Sequence, residues 1–524
     1  MMWAERYRPS QLPWNRLGSV TAVTEVIVDG GPLTPGQVVE VAHRRARAVA
    51  GPGLAERMEP ARAVVEAAVE SEEIVYGITT GFGALASTRI ERDEAETLQY
   101  NLLRSHASGV GPPLPDEMVR AILLLRARTM SQGHSGVRPV IVERLLEMLE
   151  RDILPVIPAQ GSVGASGDLA PFAHMALPLI GEGQVKLNGA IVATSRTDLE
   201  PIALQAKEGL ALLNGTEGMA AMGALALHEG RQVLIATDVA CALTIEAMMG
   251  SSRPFREDIH RLRPHPGQIA SARRIAGLIE GSGIGASHAD DFDHAVQDAY
   301  SLRCAPQVHG AVSDTLDHME DVLSREMESV VDNPIVFPNT GEVVSAGNFH
   351  GQPLAFVLDF AAIAVSELGS ISERRTDRLL DPARSRGLPA FLAANPGVQS
   401  GYMISQYVQA ALVAENKVLS HPASVDTIPT SGNQEDHVSM GWGAGRKLSQ
   451  VLANARRVVA IEIICAAQGI EYRRPLLPGP GTAAMVALIR DHVPPLSEDR
   501  SLTEEIEVVA GLIADGVVTA VAEA

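Results

Sequence analysis

The sequence predicts a mainly α-helical fold with a long central bundle, and two segments carry most of that prediction. In the first, apolar residues recur at spacings of four, three, four, four and three: Val312, Leu316, Met319, Leu323, Met327 and Val330. Such spacing places them on one face of a helix. The second segment, Leu354–Leu368, is apolar nearly all round, which is typical of a helix buried among other helices. The composition agrees, because 46% hydrophobic and 20% charged residues are ordinary for a globular protein with a large core.

The N-terminal part predicts shorter elements joined by loops. Residues 25–29 predict a short strand, and Thr34 followed by Pro35 predicts a helix start, since threonine caps helices and proline suits the first helical position. Residues 76–89 and 157–172 are expected to be loops, because they are rich in glycine and small polar residues. The chain of 524 residues is therefore divided into a leader at 1–24, an N-terminal domain at 25–210, and a helical bundle with C-terminal helices at 211–524.

Charge and cysteine content exclude several classes of protein. The formal net charge of −20 argues against nonspecific nucleic-acid binding, which depends on Lys and Arg contacts to phosphates. The three cysteines, Cys241, Cys304 and Cys465, are too few and too scattered for a disulfide framework or a cysteine-based metal site. Without a signal-peptide stretch or a run of about 20 uncharged apolar residues, no membrane association is expected. These features predict a soluble cytoplasmic protein.

One acidic stretch contains residue types that could bind a metal ion. Its potential ligands are His288, Asp290, Asp291, Asp293 and His294. A solvated acidic loop explains these residues at least as well. We therefore expect no metal site.

The strongest chemical signal is the segment at residues 161–171, GSVGASGDLAP. The segment resembles the aromatic amino-acid ammonia-lyase and aminomutase family, whose Ala-Ser-Gly tripeptide cyclises on itself to 4-methylideneimidazol-5-one (MIO). The residues Ala165-Ser166-Gly167 meet the requirements that this resemblance implies. Gly167 has no Cβ, so its backbone nitrogen can reach the carbonyl of Ala165. Loss of water from Ser166 would then leave an exposed methylidene, an electrophile that no ordinary side chain supplies.

The resemblance extends from about residue 25 to about residue 475 and rests on five further blocks in the family's order. These blocks are 76–83 (YGITTGFG), 213–216 (LNGT), 296–307 (VQDAYSLRCAPQ), 347–350 (GNFH) and 433–437 (NQEDH). The resemblance implies the family's helical bundle, with a loop-rich N-terminal part that holds the prosthetic group. It also implies a homotetramer whose sites combine residues of several chains, and it requires no metal or diffusible cofactor.

The resemblance also implies roles for the residues that act on the substrate backbone. Ser166 would supply the electrophile for the amine, and Tyr76 would be the base that removes the β-proton. Arg303 would pair with the substrate carboxylate through two parallel hydrogen bonds. Tyr300 and Asn214 would position the amine and the carboxylate.

Further residues would surround the prosthetic group and the substrate ring. Gln297 would bond to the imidazolone, and Phe349 would pack near it. Ser105-His106 and Glu435 occupy positions that, by resemblance, face the ring, and they match the histidine-specific members of the family. An imidazole has N–H groups that a carboxylate can accept, whereas a phenyl ring would leave Glu435 buried and unpaired. The implied reaction is the non-oxidative elimination of ammonia from L-histidine to trans-urocanate, the first step of histidine degradation.

Departures from the histidine-specific pattern keep two alternatives open. Arg104 precedes Ser105-His106, as in some tyrosine aminomutases, and Thr79, Glu217-Gly218 and Gly441-Trp442-Gly443 also differ from the usual pattern. The first alternative is a tyrosine 2,3-aminomutase or a tyrosine or phenylalanine ammonia-lyase on the same scaffold. The second is an inactive helical scaffold protein.

Overall fold

The computed structural model describes residues 24–71, 75–78, 80–81, 83, 90, 94–289 and 297–524. The α-helices are α1 Pro35–Ala42, α2 Leu54–Glu70, α3 Ala95–His106, α4 Asp116–Ser131, α5 Pro139–Glu150, α6 Leu169–Ala176, α7 Glu208–Leu213, α8 Glu217–Ala247, α9 Glu257–Arg261, α10 Pro266–Ile279, α11 Gly283–Ala286, α12 Tyr300–Arg303, α13 Ala305–Glu326, α14 Gln352–Leu380, α15 Met403–Leu419, α16 Gly441–Glu471, α17 Pro480–Arg490, α18 Thr503–Ala514 and α19 Val517–Ala522. The strands are β1 Thr24–Val28, β2 Ala46–Ala50, β3 Val110–Pro113, β4 Leu154–Pro155, β5 Pro158–Gln160, β6 Gln184–Leu187, β7 Ala190–Ala193, β8 Ile335–Phe337 and β9 Glu342–Val344.

Small sheets occupy the N-terminal part, as the short predicted elements suggested. β1 pairs with β2 in parallel, with Thr24 opposite Ala46. The predicted helix start is confirmed, because the Thr34 side chain accepts from the Gln37 N–H while Gln37 caps the Thr34 N–H in return. β3 pairs with β5, β6 lies between β4 and β7, and β8 pairs with β9.

The centre of the molecule is a bundle of the long helices α8, α13, α14 and α16, which pack against one another. The predicted face of α13 is confirmed at Val312, Leu316, Met319 and Leu323, which are all buried. The prediction was wrong for Val330, which lies beyond the helix. After Met327 bonds to the Leu323 carbonyl, the following N–H groups bond three residues back instead of four, and this tightening ends the helix.

The sequence predicts that α14 is buried on all sides, but the structure buries only part of its surface. One of its faces lies in the bundle, but Phe356, Phe360 and Ile363 are 43%, 45% and 45% exposed. In length and composition α14 alone among the described helices could cross a membrane, yet 56% of its most apolar window is buried inside the protein. A core helix of a bundle passes the same test.

The predicted loop at 157–172 is shorter than expected. Its beginning forms strand β5, which pairs with β3, and its end forms the first turns of α6 from Leu169. The apolar residues Phe172 and Ala173 are buried, so this end of the stretch belongs to the core. The irregular remainder, residues 161–168, lies next to the N-terminus of α8, because the Asp168 carboxylate accepts the Met219 N–H.

Candidate active site

The backbone of Ala165-Ser166-Gly167 is held in an unusual conformation. Ser166 and Gly167 have φ values of +49° and +81°, a region that residues other than glycine rarely adopt. The Asp168 N–H donates to the Gly215 carbonyl at 2.9 Å, and the Gly215 N–H donates to the Ser166 carbonyl at 3.4 Å. A Cβ on Gly167 would lie 1.9 Å from the Gly215 oxygen. The structure therefore brings two predicted motifs, Ala-Ser-Gly and Asn-Gly-Thr, into backbone contact that only glycine permits.

Asp168 is a functional candidate for which the sequence predicted no role. Its side chain is fully buried, with Oδ1 accepting from the Ser162 hydroxyl at 2.9 Å and Oδ2 from the Met219 N–H at 3.0 Å. Burial raises the pKa of Asp168 to about 7, although these hydrogen bonds act in the opposite direction. Because Met219 lies in the first turn of α8, Asp168 also faces the positive end of that helix. Its position directly after the tripeptide was the available sequence signal.

A buried ion pair supports the Asn-Gly-Thr turn. The Asn214 amide nitrogen donates to the carbonyls of Leu210 and Asn333, each at 3.2 Å. The Arg126 guanidinium donates to the Glu217 carboxylate at 2.5 Å, and both side chains are buried. Burial raises the pKa of Glu217, and Arg126 opposes that effect. Glu217, one of the departures from the family pattern, thus supports the turn that contacts Ser166.

The departure at 441–443 also lies against the Ser166 segment. The indole N–H of Trp442 donates to the Ala159 carbonyl at 2.9 Å, and the side chain is buried. The Met440 N–H donates to the Val163 carbonyl at 2.9 Å. The N-terminus of α16 therefore holds the strand and loop that lead to the tripeptide.

Glu435 is brought to Ser166 by a short turn. The Ser166 hydroxyl donates to Glu435 Oε1 at 3.3 Å, and the Thr430 hydroxyl donates to Oε2 at 2.5 Å. The half-buried Phe349 lies in a turn closed by the His350 N–H and the Gly347 carbonyl, and the His350 ring contacts the His437 carbonyl at 3.2 Å. The predicted blocks at 347–350 and 433–437 are therefore neighbours.

His106 ends α3 with a defined tautomer. Its Nδ1 lies 2.9 Å from the Leu102 carbonyl, which can only accept, so Nδ1 carries the proton and a neutral ring has its lone pair on Nε2. Burial lowers the pKa of His106 despite the Leu102 carbonyl and the charge of Glu435, which raise it. The neutral form is therefore favoured. Ser105 is exposed, with its hydroxyl 3.2 Å from the same carbonyl.

Tyr76 lies in a stretch of which only part is described. Its side chain is half-buried, and its hydroxyl accepts the Gly83 N–H at 3.2 Å. A Cβ on Gly83 would lie 2.6 Å from the Ser431 hydroxyl, so this stretch packs against the turn that carries Glu435. Thr79, a departure from the family pattern, lies outside the described residues.

The remaining predicted residues form a separate group. Gln297 and Arg303 line a cavity of about 1410 Å³, and within the described part of the chain its walls include neither Ser166 nor Glu435. Tyr300 is 72% exposed. The Arg303 Nε–H donates to the Asp298 carbonyl at 3.0 Å, and its guanidinium lies over the Tyr300 ring at 4.6 Å.

Asp298 fixes this second group to the bundle. Its buried carboxylate accepts from Arg386 at 2.7 Å and from the Ser251 N–H at 2.7 Å. Because the Asp298 carbonyl holds Arg303, the Arg386 ion pair also fixes the guanidinium. Asp298 lies within the block at 296–307, but the sequence alone predicted no role for it.

No group of three His, Cys, Asp or Glu side chains that could hold a metal ion occurs among the described residues. Of the five potential ligands named from the sequence, only His288 is described, and its Nε2 lies 3.3 Å from the Gly250 carbonyl. The other four lie outside the described ranges.

Comparison with known proteins tests the predicted family. The model of the aromatic amino acid lyase family matches residues 33–491. A histidine ammonia-lyase of Gloeobacter violaceus is 52% identical over 495 residues, which cover 94% of this chain and 96% of that protein. A histidine ammonia-lyase of Deinococcus radiodurans is 54% identical over 473 residues, 90% of each chain.

Solved structures with the same fold include two with different activities. Histidine ammonia-lyase from Trypanosoma cruzi superposes with a TM-score of 0.88 at 42% identity, covering 95% of each chain. Tyrosine aminomutase from Streptomyces globisporus superposes with a TM-score of 0.90 at 38% identity, covering 95% of this chain and 98% of that one. These matches confirm the predicted helical fold class and lyase class, in a family that uses the MIO group. The chain belongs to the aromatic amino acid lyase family.

Proposed function

We propose that this enzyme eliminates ammonia from L-histidine to give trans-urocanate. The observation that carries the proposal is the position of Glu435, whose carboxylate lies 3.3 Å from the Ser166 hydroxyl and within electrostatic reach of His106. An imidazole N–H can donate to that carboxylate, whereas a phenyl ring cannot. The relatives named histidine ammonia-lyase at 52% and 54% identity support the same substrate.

The residues of this chain fit the formation of MIO from Ala165-Ser166-Gly167. The left-handed φ values of Ser166 and Gly167 bend the chain, and a nitrogen of Gly167 that attacks the Ala165 carbonyl carbon closes the ring with loss of one water. Removal of the Ser166 hydroxyl with the adjacent Cα hydrogen releases a second water. Once formed, the group supplies an electrophile for the substrate amine.

The chain's own side chains would handle the rest of the substrate. Tyr76 is our choice for the base that takes the β-proton, with Asn214 and Tyr300 as positioning groups. Arg303 would bind the carboxylate, because Asp298 holds its Nε–H and orients the guanidinium. Gln297 and Phe349 would lie beside the prosthetic group, and Ser105 and His106 beside the imidazole.

Tyrosine chemistry on the same scaffold is the second candidate, since the tyrosine aminomutase fold superposes equally well. Its support from the sequence is Arg104. In this chain the Arg104 guanidinium donates to Glu182 at 2.6 Å on the exposed side of α3. Within one chain Arg104 is therefore engaged by Glu182, and the histidine assignment is preferred.

We also propose a homotetramer with sites shared between subunits. Helix α15 buries the polar residues Ser405, Gln409 and Asn416, while Ile404 and Tyr407 are 60% and 63% exposed. This polarity is the reverse of a surface helix in a monomer. Helix α14, which packs against α15, also exposes the apolar residues Phe356, Phe360 and Ile363. A second copy of the chain would cover both apolar faces. A cytoplasmic location is proposed from the sequence alone.

Ultraviolet absorbance with separate substrates tests the proposed reaction. Purified protein is incubated with L-histidine and, in parallel, with L-tyrosine. Growth of the urocanate band from histidine alone is expected. A coumarate band from tyrosine alone would contradict the histidine assignment while keeping the lyase chemistry, and an inert protein whose Ser166 peptide has not lost two waters would favour the inactive scaffold.

A further inference from the structure

The two carboxylate oxygens of Glu435 have different partners. Oε1 accepts from the Ser166 hydroxyl at 3.3 Å, and Oε2 accepts from the Thr430 hydroxyl at 2.5 Å. The same two residues also pair through the backbone, since the Thr430 N–H donates to the Glu435 carbonyl at 3.0 Å and the Glu435 N–H to the Thr430 carbonyl at 3.4 Å. Thr430 thus holds Glu435 through both its main chain and its side chain.

The turn between them is strained, so its shape depends on these anchors. Ser431, Gly432 and Asn433 have φ values of +50°, +60° and +68°. A left-handed conformation is unfavourable for residues other than glycine, and it persists when flanking contacts enforce it. The paired ends at Thr430 and Glu435 supply those contacts.

Formation of the prosthetic group removes the hydrogen-bond partner of one oxygen of Glu435 but not of the other. When the Ser166 hydroxyl is lost as water, the hydrogen bond to Oε1 ends and that oxygen can accept a new donor. The Thr430 hydroxyl has no part in this chemistry and keeps its bond to Oε2. A carboxylate that retains one short charge-assisted hydrogen bond keeps its orientation.

We propose that Thr430 is a positioning residue that aims Glu435 Oε1 at the imidazole N–H of the substrate and so sets the preference for imidazole over phenyl rings. The proposal rests on the proposed histidine activity. Thr430 itself does not contact the substrate in this scheme.

The test compares four variants of the full-length protein. Thr430→Val keeps the shape of the side chain and removes the donor, whereas Thr430→Ser keeps the hydroxyl. The matched control is Thr427→Val, because the Thr427 hydroxyl accepts the Val438 N–H at 2.9 Å in the same segment. Thr430→Ala is a second donor-free variant. The measurements are kcat and KM for L-histidine, and the inhibition constants of urocanate and of cinnamate, which carries a phenyl ring in place of the imidazole.

Thr430→Val is expected to raise KM for L-histidine and the urocanate inhibition constant about tenfold, as loss of one oriented charged hydrogen bond implies. The cinnamate constant should stay within about twofold, and Thr430→Ser and Thr427→Val should resemble the wild type. Equal increases in the inhibition constants of urocanate and cinnamate, or an unchanged constant for urocanate, would overturn the positioning role. Turnover of L-histidine by the wild type would still support the proposed activity in that case. A wild-type protein inert toward L-histidine would instead overturn the proposed function and this inference with it.

Discussion

The two groups of candidate site residues are built in opposite ways. The Ser166 group, which comprises residues 161–168, 214–217 and 430–435, is closed within one chain by backbone contacts and by the buried side chains of Asp168 and Glu217. The Tyr300 group, residues 297–303, opens onto a cavity of about 1410 Å³ and leaves Tyr300 72% exposed. We infer that one chain suffices to form the electrophile, whereas substrate binding needs a second chain to bring Arg303 to it.

Complementation between two inactive variants tests this difference most strongly. Ser166→Ala removes the hydroxyl needed for the electrophile, and Arg303→Ala removes the carboxylate ligand, so each variant alone is expected to lose nearly all histidine turnover while keeping its fold. If sites combine chains, co-expressed variants assemble some sites with both intact residues. Random mixing in equal amounts should restore about a quarter of wild-type activity.

Two controls make the complementation result decisive. Circular dichroism should show native helicity for each variant, and the Ser166-containing peptide of Arg303→Ala should still be two waters lighter than its sequence mass. A mixture as inactive as its components would contradict shared sites. A near-normal rate for Ser166→Ala alone would contradict the electrophile itself.

Gly167→Ala tests how tightly the Ser166 group is closed. The matched control is Gly341→Ala, because Gly341 has a similar φ of +75° but nothing within 4 Å of its added Cβ. The control should lose about 1 kcal/mol of unfolding free energy from backbone strain alone. At Gly167 the Cβ would lie 1.9 Å from the Gly215 carbonyl oxygen, so a further loss of about 3 kcal/mol is expected, together with failure to lose water at Ser166.

Urea denaturation and peptide mass measure these two effects. Equal stability losses at the two glycines would mean that the Gly167–Gly215 contact is not as close as the structure has it. A mature Ser166 peptide in Gly167→Ala would mean that the contact is not needed for cyclisation.

The buried carboxyl of Asp168 predicts a pH dependence of stability. Its ordinary pKa is 3.8 and its folded pKa is about 7, so between these values the folded protein holds a proton that the unfolded chain releases. The contribution of this group to stability is therefore present below pH 4 and falls as the pH rises to 7. The gap corresponds to about 4 kcal/mol at most.

Asp168→Asn should remove that slope, because the amide is neutral at every pH and can still accept the Met219 N–H. Unfolding free energies of both proteins at several pH values between 4 and 8 give the measurement. Burial also raises the pKa of Glu217, which adds to the pH dependence of both proteins. The contribution of Asp168 is therefore the difference between the two slopes. Parallel slopes would contradict a buried neutral Asp168.

The sequence predicted the helices that are buried within the chain better than it predicted their exposed faces and their ends. Helical periodicity identified α13, and the all-apolar pattern identified α14, because both patterns report burial within one chain. The exposure of Phe356, Phe360 and Ile363 on α14 was missed, since an apolar composition does not show which faces of a helix other helices cover. The end of α13 before Val330 was missed because local hydrogen bonding, and not hydrophobic spacing, ends a helix.

At the site, the sequence predicted residue types but not their supports. The tripeptide and Glu435 were accessible through motifs that the chain shares with its family. Their contact at 3.3 Å joins residues 269 positions apart, and no local pattern reports such a distance. Asp168, Asp298 and Thr430 are held by burial or by hydrogen bonds that the fold forms, so their contacts could be recognised only in three dimensions.

The smallest expected effect concerns Arg104, the residue that favoured tyrosine chemistry in the sequence. Its guanidinium pairs with Glu182 on the exposed side of α3, with 52% and 39% of the two side chains exposed, and such surface pairs contribute little. Arg104→Ala should therefore leave kcat/KM for L-histidine within about twofold of the wild type and bring no turnover of L-tyrosine. Glu182→Gln, which breaks the pair from its other side, should behave alike. A change in substrate preference in Arg104→Ala but not in Glu182→Gln would show that Arg104 reaches the substrate in the assembled enzyme, and that Glu435 does not set the preference alone.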